Sequence, residues 1–153
     1  MLTYLAYCED EGEPTEVLHN PLRARYEHGD AAVHAAMRKF AELTVEAREA
    51  LLARDAEQLG RLIDENFSTR QEICQLHPHH VRMVTTARRA GASAHYAGSG
   101  GAIIGVYRDE AMYGELRRQL EAIGCRVIKP QVVPGPRQNA NHDRAAIAAM
   151  ACK

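Results

Sequence analysis

Residues Ser93 to Tyr107 read SAHYAGSGGAIIGVY, and this stretch decides the fold. Ser93 to Ala97 and Ala102 to Tyr107 are short apolar or aromatic runs of strand character, joined by the glycine cluster Gly98, Ser99, Gly100 and Gly101. Two such runs across so short a flexible link predict a hairpin. Toward the C-terminus, Asp109 is placed to cap a helix with the apolar stripe Met112, Leu116, Leu120 and Ile123, ended by Gly124. A strand from Cys125 to Ile128 follows.

Toward the N-terminus, Pro78 suits a first helical turn, Val81, Val84 and Ala87 continue it, and Gly91 suits a left-handed cap. Before it, Asp55 with Gln58 resembles a capping box, and Leu59, Ile63 and Phe67 repeat at helical spacing. A longer amphipathic helix starts at Gly29 and Asp30 and carries Val33, Met37, Phe40, Thr44, Ala47 and Leu51. Leu2 to Tyr7 reads as a strand running into an acidic loop from Glu9 to Pro14. The order strand, helices, strand, strand, helix, strand is the ferredoxin-like split βαβ arrangement. The expected fold is α+β, a four-stranded antiparallel sheet with an enlarged helical layer. Residues 1–133 make the domain, and 134–153, rich in proline and polar residues before a short AAIAAMA run, make a peripheral tail.

With 153 residues, 46% apolar and 25% charged, the chain has the composition of one globular domain. Its 19 basic and 20 acidic side chains nearly cancel, so no global field draws in nucleic acid or an anionic membrane, and an anion site must be local. No run of about 18 apolar residues is present. The start, MLTYLAYCEDEGE, turns acidic where a secretory signal needs a basic lead. Cys8, Cys74, Cys125 and Cys152 are scattered, which suits free thiols in a reducing compartment. A soluble, cytoplasmic protein is expected.

The glycine cluster carries the chemistry. Glycines permit positive φ and close backbone approach, so successive amides can converge on an anion, and the Ser99 hydroxyl adds a donor. The pattern is neither GxxxxGK[ST] nor GxGxxG, because no lysine follows and a strand comes next. Taken locally, a flexible hairpin turn is the plainer reading.

Nearly the whole chain, however, resembles the C-terminal half of GHMP-type small-molecule kinases, most nearly glucuronokinases. The resemblance rests on LTYLAY at Leu2–Tyr7, HNPLRARYEHGD at His19–Asp30, LLARD at Leu51–Asp55 and ENFSTRQEI at Glu65–Ile73. It continues through ARRAGASAHYAGSGGAIIGVY at Ala87–Tyr107 and EAIGCRVIKP at Glu121–Pro130. It implies a ferredoxin-like half whose loop Gly98, Ser99, Gly100, Gly101 faces the nucleotide phosphates, with Mg-ATP and a sugar or uronic acid as ligands. Arg70, in the stretch shared with the glucuronokinase-like pattern, is implied as a substrate contact, and His95 and Tyr96 are added because they approach the loop. The ATP phosphate loop and catalytic aspartate of such kinases have no counterpart here. Phosphoryl transfer by this chain alone is therefore not expected, and the partner is an N-terminal kinase half or another copy of the chain. The alternative is a non-catalytic binding or oligomerisation module that buries its exposed sheet face against a second copy.

Among the eight histidines, His77, His79 and His80 with Cys74 form a ligand-type cluster of poor spacing, so a polar helix terminus is the better reading and no metal is expected. On chemistry alone Arg70 is a surface arginine, and Arg38, Lys39, Arg88 and Arg89 are helix faces. Asp30, Asp55 and Asp109 read as helix caps, not bases, and Met37, Phe40 and Phe67 as core.

Overall fold

The computed structural model describes residues 1–9, 15–98 and 100–131, with the backbone alone for 15–20. Ser99, residues 10–14 and residues 132–153, with the expected tail and its AAIAAMA run, lie outside the described residues. The elements run β1 (Leu2–Tyr7), α1 (Thr15–Glu27), α2 (Ala31–Ala53), α3 (Ala56–Ile73), α4 (Pro78–Arg89), β2 (His95–Tyr96), β3 (Ala102–Tyr107), α5 (Glu110–Glu121) and β4 (Arg126–Ile128). The four strands pair antiparallel in the order β2-β3-β1-β4, the ferredoxin-like order. Helix α1 has no counterpart among the sequence expectations; Pro21 lies inside it, and proline ordinarily signals against a helix interior.

Each expected cap forms. Asp30 accepts from the amides of Ala32 and Val33, Asp55 from Gln58, and Asp109 from Met112. Hydrogen bonds from Arg25 at Asp30, and from the Met112 amide at Asp109, hold these carboxyls below their usual range.

Side chains of Tyr4, Ala6, Ile103, Tyr107 and Val127 point from the sheet into the main core, where Phe67, Met83, Val84, Ala87, Leu116 and Leu120 meet them. A second cluster joins Leu43 and Ala50 of α2 and Leu59 and Leu62 of α3 to Val106. Strand alternation puts Val106 on the face opposite Ile103 and Tyr107, so α3 runs beside the β2 edge and touches both faces. The stripe expected on α2 is corrected accordingly: Val33, Ala36, Leu43 and Ala50 are buried, Met37 and Phe40 half-buried, Thr44 and Leu51 exposed. Only one side of α2 meets α3, which leaves Leu51 50% and Leu52 65% exposed near its C-terminus.

The expected strand Ser93–Ala97 narrows to His95–Tyr96, though Ser93 N still donates to Val106 O at 3.1 Å and Ala97 N to Ala102 O at 2.9 Å. Val106 N returns a bond to Ser93 Oγ at 3.0 Å. Burial pushes the Tyr4 phenol far above its usual range, so it stays neutral and donates to Ser93 O at 2.9 Å. Among the described residues no helix is long and apolar enough to cross a membrane.

Candidate functional site

The loop opens from the β2–β3 hairpin, closed at its base by the bond from Ala97 N to Ala102 O. Gly98 is exposed, Gly100 half-buried and Gly101 buried. Gly101 takes φ +75°, a conformation that excludes most side chains, and its carbonyl accepts from Cys8 N at 3.1 Å. Ser99 lies outside the described residues.

The other three expected contacts gather at the foot of this hairpin. The Arg70 guanidinium stands 6.0 Å from the Tyr96 ring centroid, and Phe67 meets His95 and Tyr96 edge-on at 6.0 and 5.2 Å. Tyr96 turns into the core at 5% exposure, so its ring is a packing surface for Arg70. His95 is half-buried on the opposite face, as strand alternation requires. Its Nδ1 donates to Tyr96 O at 2.8 Å, because a carbonyl can only accept. That fixes Nε2 as the acceptor nitrogen, and it is buried without a hydrogen-bond partner among the described residues.

Burial lowers the His95 pKa below its ordinary 6.5, helped by the positive charges of Arg70 and Arg88 and opposed by the Tyr96 carbonyl. A depressed folded-state value means that stability is complete above the ordinary imidazole range and is lost as pH falls through it. The urea midpoint is therefore expected to drop between about pH 7.5 and about pH 5.5, and His95→Gln to remove part of that drop. A drop unchanged in the variant would show that His95 is not its source.

Beside His95 an apolar groove of about 470 Å³ runs along α2, α3 and β3, lined by Leu43, Thr44, Ala47, Arg48, Leu51, Leu62, Ile63, Asn66, His95 and Ile104. Thr44, Ala47 and Leu51 are part of the stripe expected to pack; they wall this groove instead. Asn66, in the ENFSTRQEI stretch, shares the groove with His95. Arg88 is not a solvated face. It donates to Asp64 Oδ1 at 2.9 Å and to Asp64 O at 2.7 Å, while the same carboxylate accepts from Ala94 N at 2.9 Å. The pair thus fixes α4, α3 and the entry to β2.

The expected polar terminus at His77 to His80 is also corrected. His80 is 2% exposed, and His77 makes no side-chain cap bond. His79 lies 3.4 Å from Cys8 Sγ, which in turn lies 2.7 Å from Cys125 Sγ. Cys74 is outside this group. Sequence distance hides it, since Cys8 and Cys125 are 117 residues apart and meet only because β1 and β4 are neighbours.

Solved structures share the fold. L. major mevalonate kinase, solved in complex with R-mevalonate, matches with a TM-score of 0.74 at 18% identity, over 86% of this chain and 44% of that one. Streptococcus pneumoniae phosphomevalonate kinase matches with a TM-score of 0.68 at 13% identity, over 86% of this chain and 40% of that one. At such identities the likeness is one of fold, and that fold is the one found in GHMP-type kinases. In sequence the likeness is to glucuronokinases: probable glucuronokinase 2 of Arabidopsis thaliana is 35% identical over 105 residues, 66% of this chain. That segment is 28% of the plant protein, so the chain spans less than a third of the relative it matches. The resemblance expected from the sequence is met in both respects. No protein-family profile matches the chain.

Proposed function

We propose that the chain is the C-terminal, ferredoxin-like part of a cytoplasmic, ATP-dependent sugar or uronic acid kinase of the GHMP type. The observation that carries this reading is the 35% identity to a glucuronokinase, in a chain whose fold is that of kinases. Gly98, Ser99, Gly100 and Gly101 cradle the phosphate side of Mg-ATP through main-chain amides, each charge-assisted bond contributing about 1.5–3 kcal/mol. Arg70 supplies a fixed cation to a substrate carboxylate or phosphate, and His95 and Tyr96 shape the wall beside it. Phosphoryl transfer also needs a metal-nucleotide cradle and a positioned nucleophile. The rest of such a kinase supplies these, on the same or another polypeptide.

The supporting experiment is calorimetric titration of Mg-ATP into the chain combined with the N-terminal part of a glucuronokinase. Gly100→Val is expected to weaken binding by about tenfold or more, as one or two amide contacts are lost. Unchanged affinity in the variant would reduce the loop to a turn.

The second reading, a non-catalytic module that self-associates, is favoured by one observation. Ile104 and Ile128 are 40% and 43% exposed on the sheet face away from the main core, close in character to exposed Leu51 and Leu52 of α2. Under the kinase reading the same surface seats the rest of the kinase. A dimer that persists when that part is added, with no ATP binding, would favour the module.

A further inference from the structure

The end of β1, the entry to β4 and the first turn of α4 meet at a cluster that the kinase reading leaves unused. The β1–β4 register runs through Leu5 with Ile128, Ala6 with Val127 and Tyr7 with Arg126, so the next rung sets Cys8 opposite Cys125. Their sulfurs are 2.7 Å apart, and His79 Nε2 lies 3.4 Å from Cys8 Sγ. The three donor atoms all lie within 4.8 Å of one another, with Cys125 buried and Cys8 and His79 half-buried. Met83, one helical turn beyond His79, brings its thioether sulfur to 4.0 Å from Cys8 Sγ.

Two neutral thiols at 2.7 Å are closer than non-bonded heavy atoms rest, about 3.5 Å or more. The contact is relieved if the sulfurs bond to each other or if both, as thiolates, share a cation. The imidazole nitrogen 3.4 Å from Cys8 Sγ adds a third donor of zinc-ligand type, which a disulfide would not use, and so favours the cation. We infer that Cys8, Cys125 and His79 form a binding site for a thiophilic divalent cation of the zinc class.

Two thiolates neutralise the ion's charge, and borderline-soft zinc takes sulfur at about 2.3 Å and imidazole nitrogen at about 2.0 Å. Tetrahedral geometry at those lengths sets the sulfurs about 3.8 Å apart, so the pair opens by about 1 Å on binding. The fourth position falls to water, or to Met83 for a softer ion such as Cu(I). The donor set is unlike the oxygen shell of the magnesium that accompanies ATP, and the site stands whether or not the kinase reading holds. It departs from the sequence expectation of no metal, keeping only His79 of the four residues weighed there. Because Cys8 N donates to Gly101 O at 3.1 Å, the site abuts the loop's exit. An ion there ties three elements together beneath the loop.

The full chain, reduced and stripped of metal, is titrated with Zn²⁺ against a chromophoric chelator and with Co²⁺ by absorption. One equivalent is expected, with thiolate-to-cobalt charge-transfer bands and a rise in Tm of about 5 °C or more with zinc. Cys8→Ser and Cys125→Ser each weaken binding by about 100-fold or more, and His79→Gln by about tenfold or more; Cys74→Ser leaves it unchanged. Circular dichroism without zinc reports the fold of every variant. Protection of Cys8 and Cys125 from alkylation by zinc, read by mass spectrometry on the native chain, tests the site without substitution. No stoichiometric uptake, binding undiminished in the Cys8→Ser/Cys125→Ser double variant, or alkylation indifferent to zinc overturns the inference. So does a Cys8–Cys125 disulfide that, once reduced, leaves a protein taking up no zinc.

Discussion

Gly105→Ala is expected to destabilise the protein by about 3 kcal/mol or more, toward the upper end of what one added methyl group does. A Cβ at this position would sit 1.8 Å from the Ser93 carbonyl oxygen, 2.6 Å from its carbon and 2.9 Å from Tyr4 Cε1. The obstacle is backbone, and that backbone is pinned: Ser93 N binds Val106 O, Val106 N binds Ser93 Oγ, and Tyr4 Oη binds Ser93 O. No side-chain rotation relieves the clash, so β2 must leave β3, and the glycine loop that hangs between them loses its base. Urea denaturation checks the stability, and near-ultraviolet circular dichroism checks the packing of Tyr4. A wild-type midpoint and spectrum would show that the approach of Ser93 to β3 is misplaced.

Phe67→Ala is expected to cost about 3–5 kcal/mol, the usual range for removing a fully buried aromatic. The ring is 0% exposed. It meets His95 and Tyr96 edge-on, and the Arg88 guanidinium lies 5.2 Å from its centroid. The loss therefore reaches past the cavity, because the ring holds α3 against both residues of β2. Phe67→Leu keeps most of the volume and is expected to cost no more than about 1.5 kcal/mol. Equal midpoints for the alanine and leucine variants would contradict the packing described.

Much of the fold was legible because local chemistry and global arrangement agree. Asp30, Asp55 and Asp109 cap the helices that follow them, Gly91 and Gly124 take the positive φ that ends α4 and α5, and the hairpin lies around the glycine cluster. Periodicity fails where a helix is only half covered. On α2 the spacing of Val33, Met37, Phe40, Thr44, Ala47 and Leu51 is right for a helix, yet the pattern alone does not say which of two adjacent stripes meets α3. Helix α1 was hidden by Pro21.

The candidate site was legible in part. Arg70 stands beside the Tyr96 ring near the foot of the loop while His95 faces the other side of β2, so the strand alternation was legible and a shared ligand role for the three remains a proposal. The pairing of Arg88 with Asp64, and of Cys8 with His79 and Cys125, depends on contacts spanning 24 to 117 residues, which no local pattern contains. The sheet order gives the missing signal: once β1 and β4 are neighbours, extending the register by one rung places Cys8 against Cys125.

The most direct test joins this chain to the remainder of the probable glucuronokinase 2 of Arabidopsis thaliana, in place of the 28% that it matches, and measures ADP release from Mg-ATP with glucuronate and other sugars. Turnover by the hybrid, none by either piece alone, and a loss of about tenfold or more with Gly100→Val is the predicted result. Turnover by the lone chain, or a hybrid that melts cooperatively yet neither binds ATP nor phosphorylates any sugar, would contradict it.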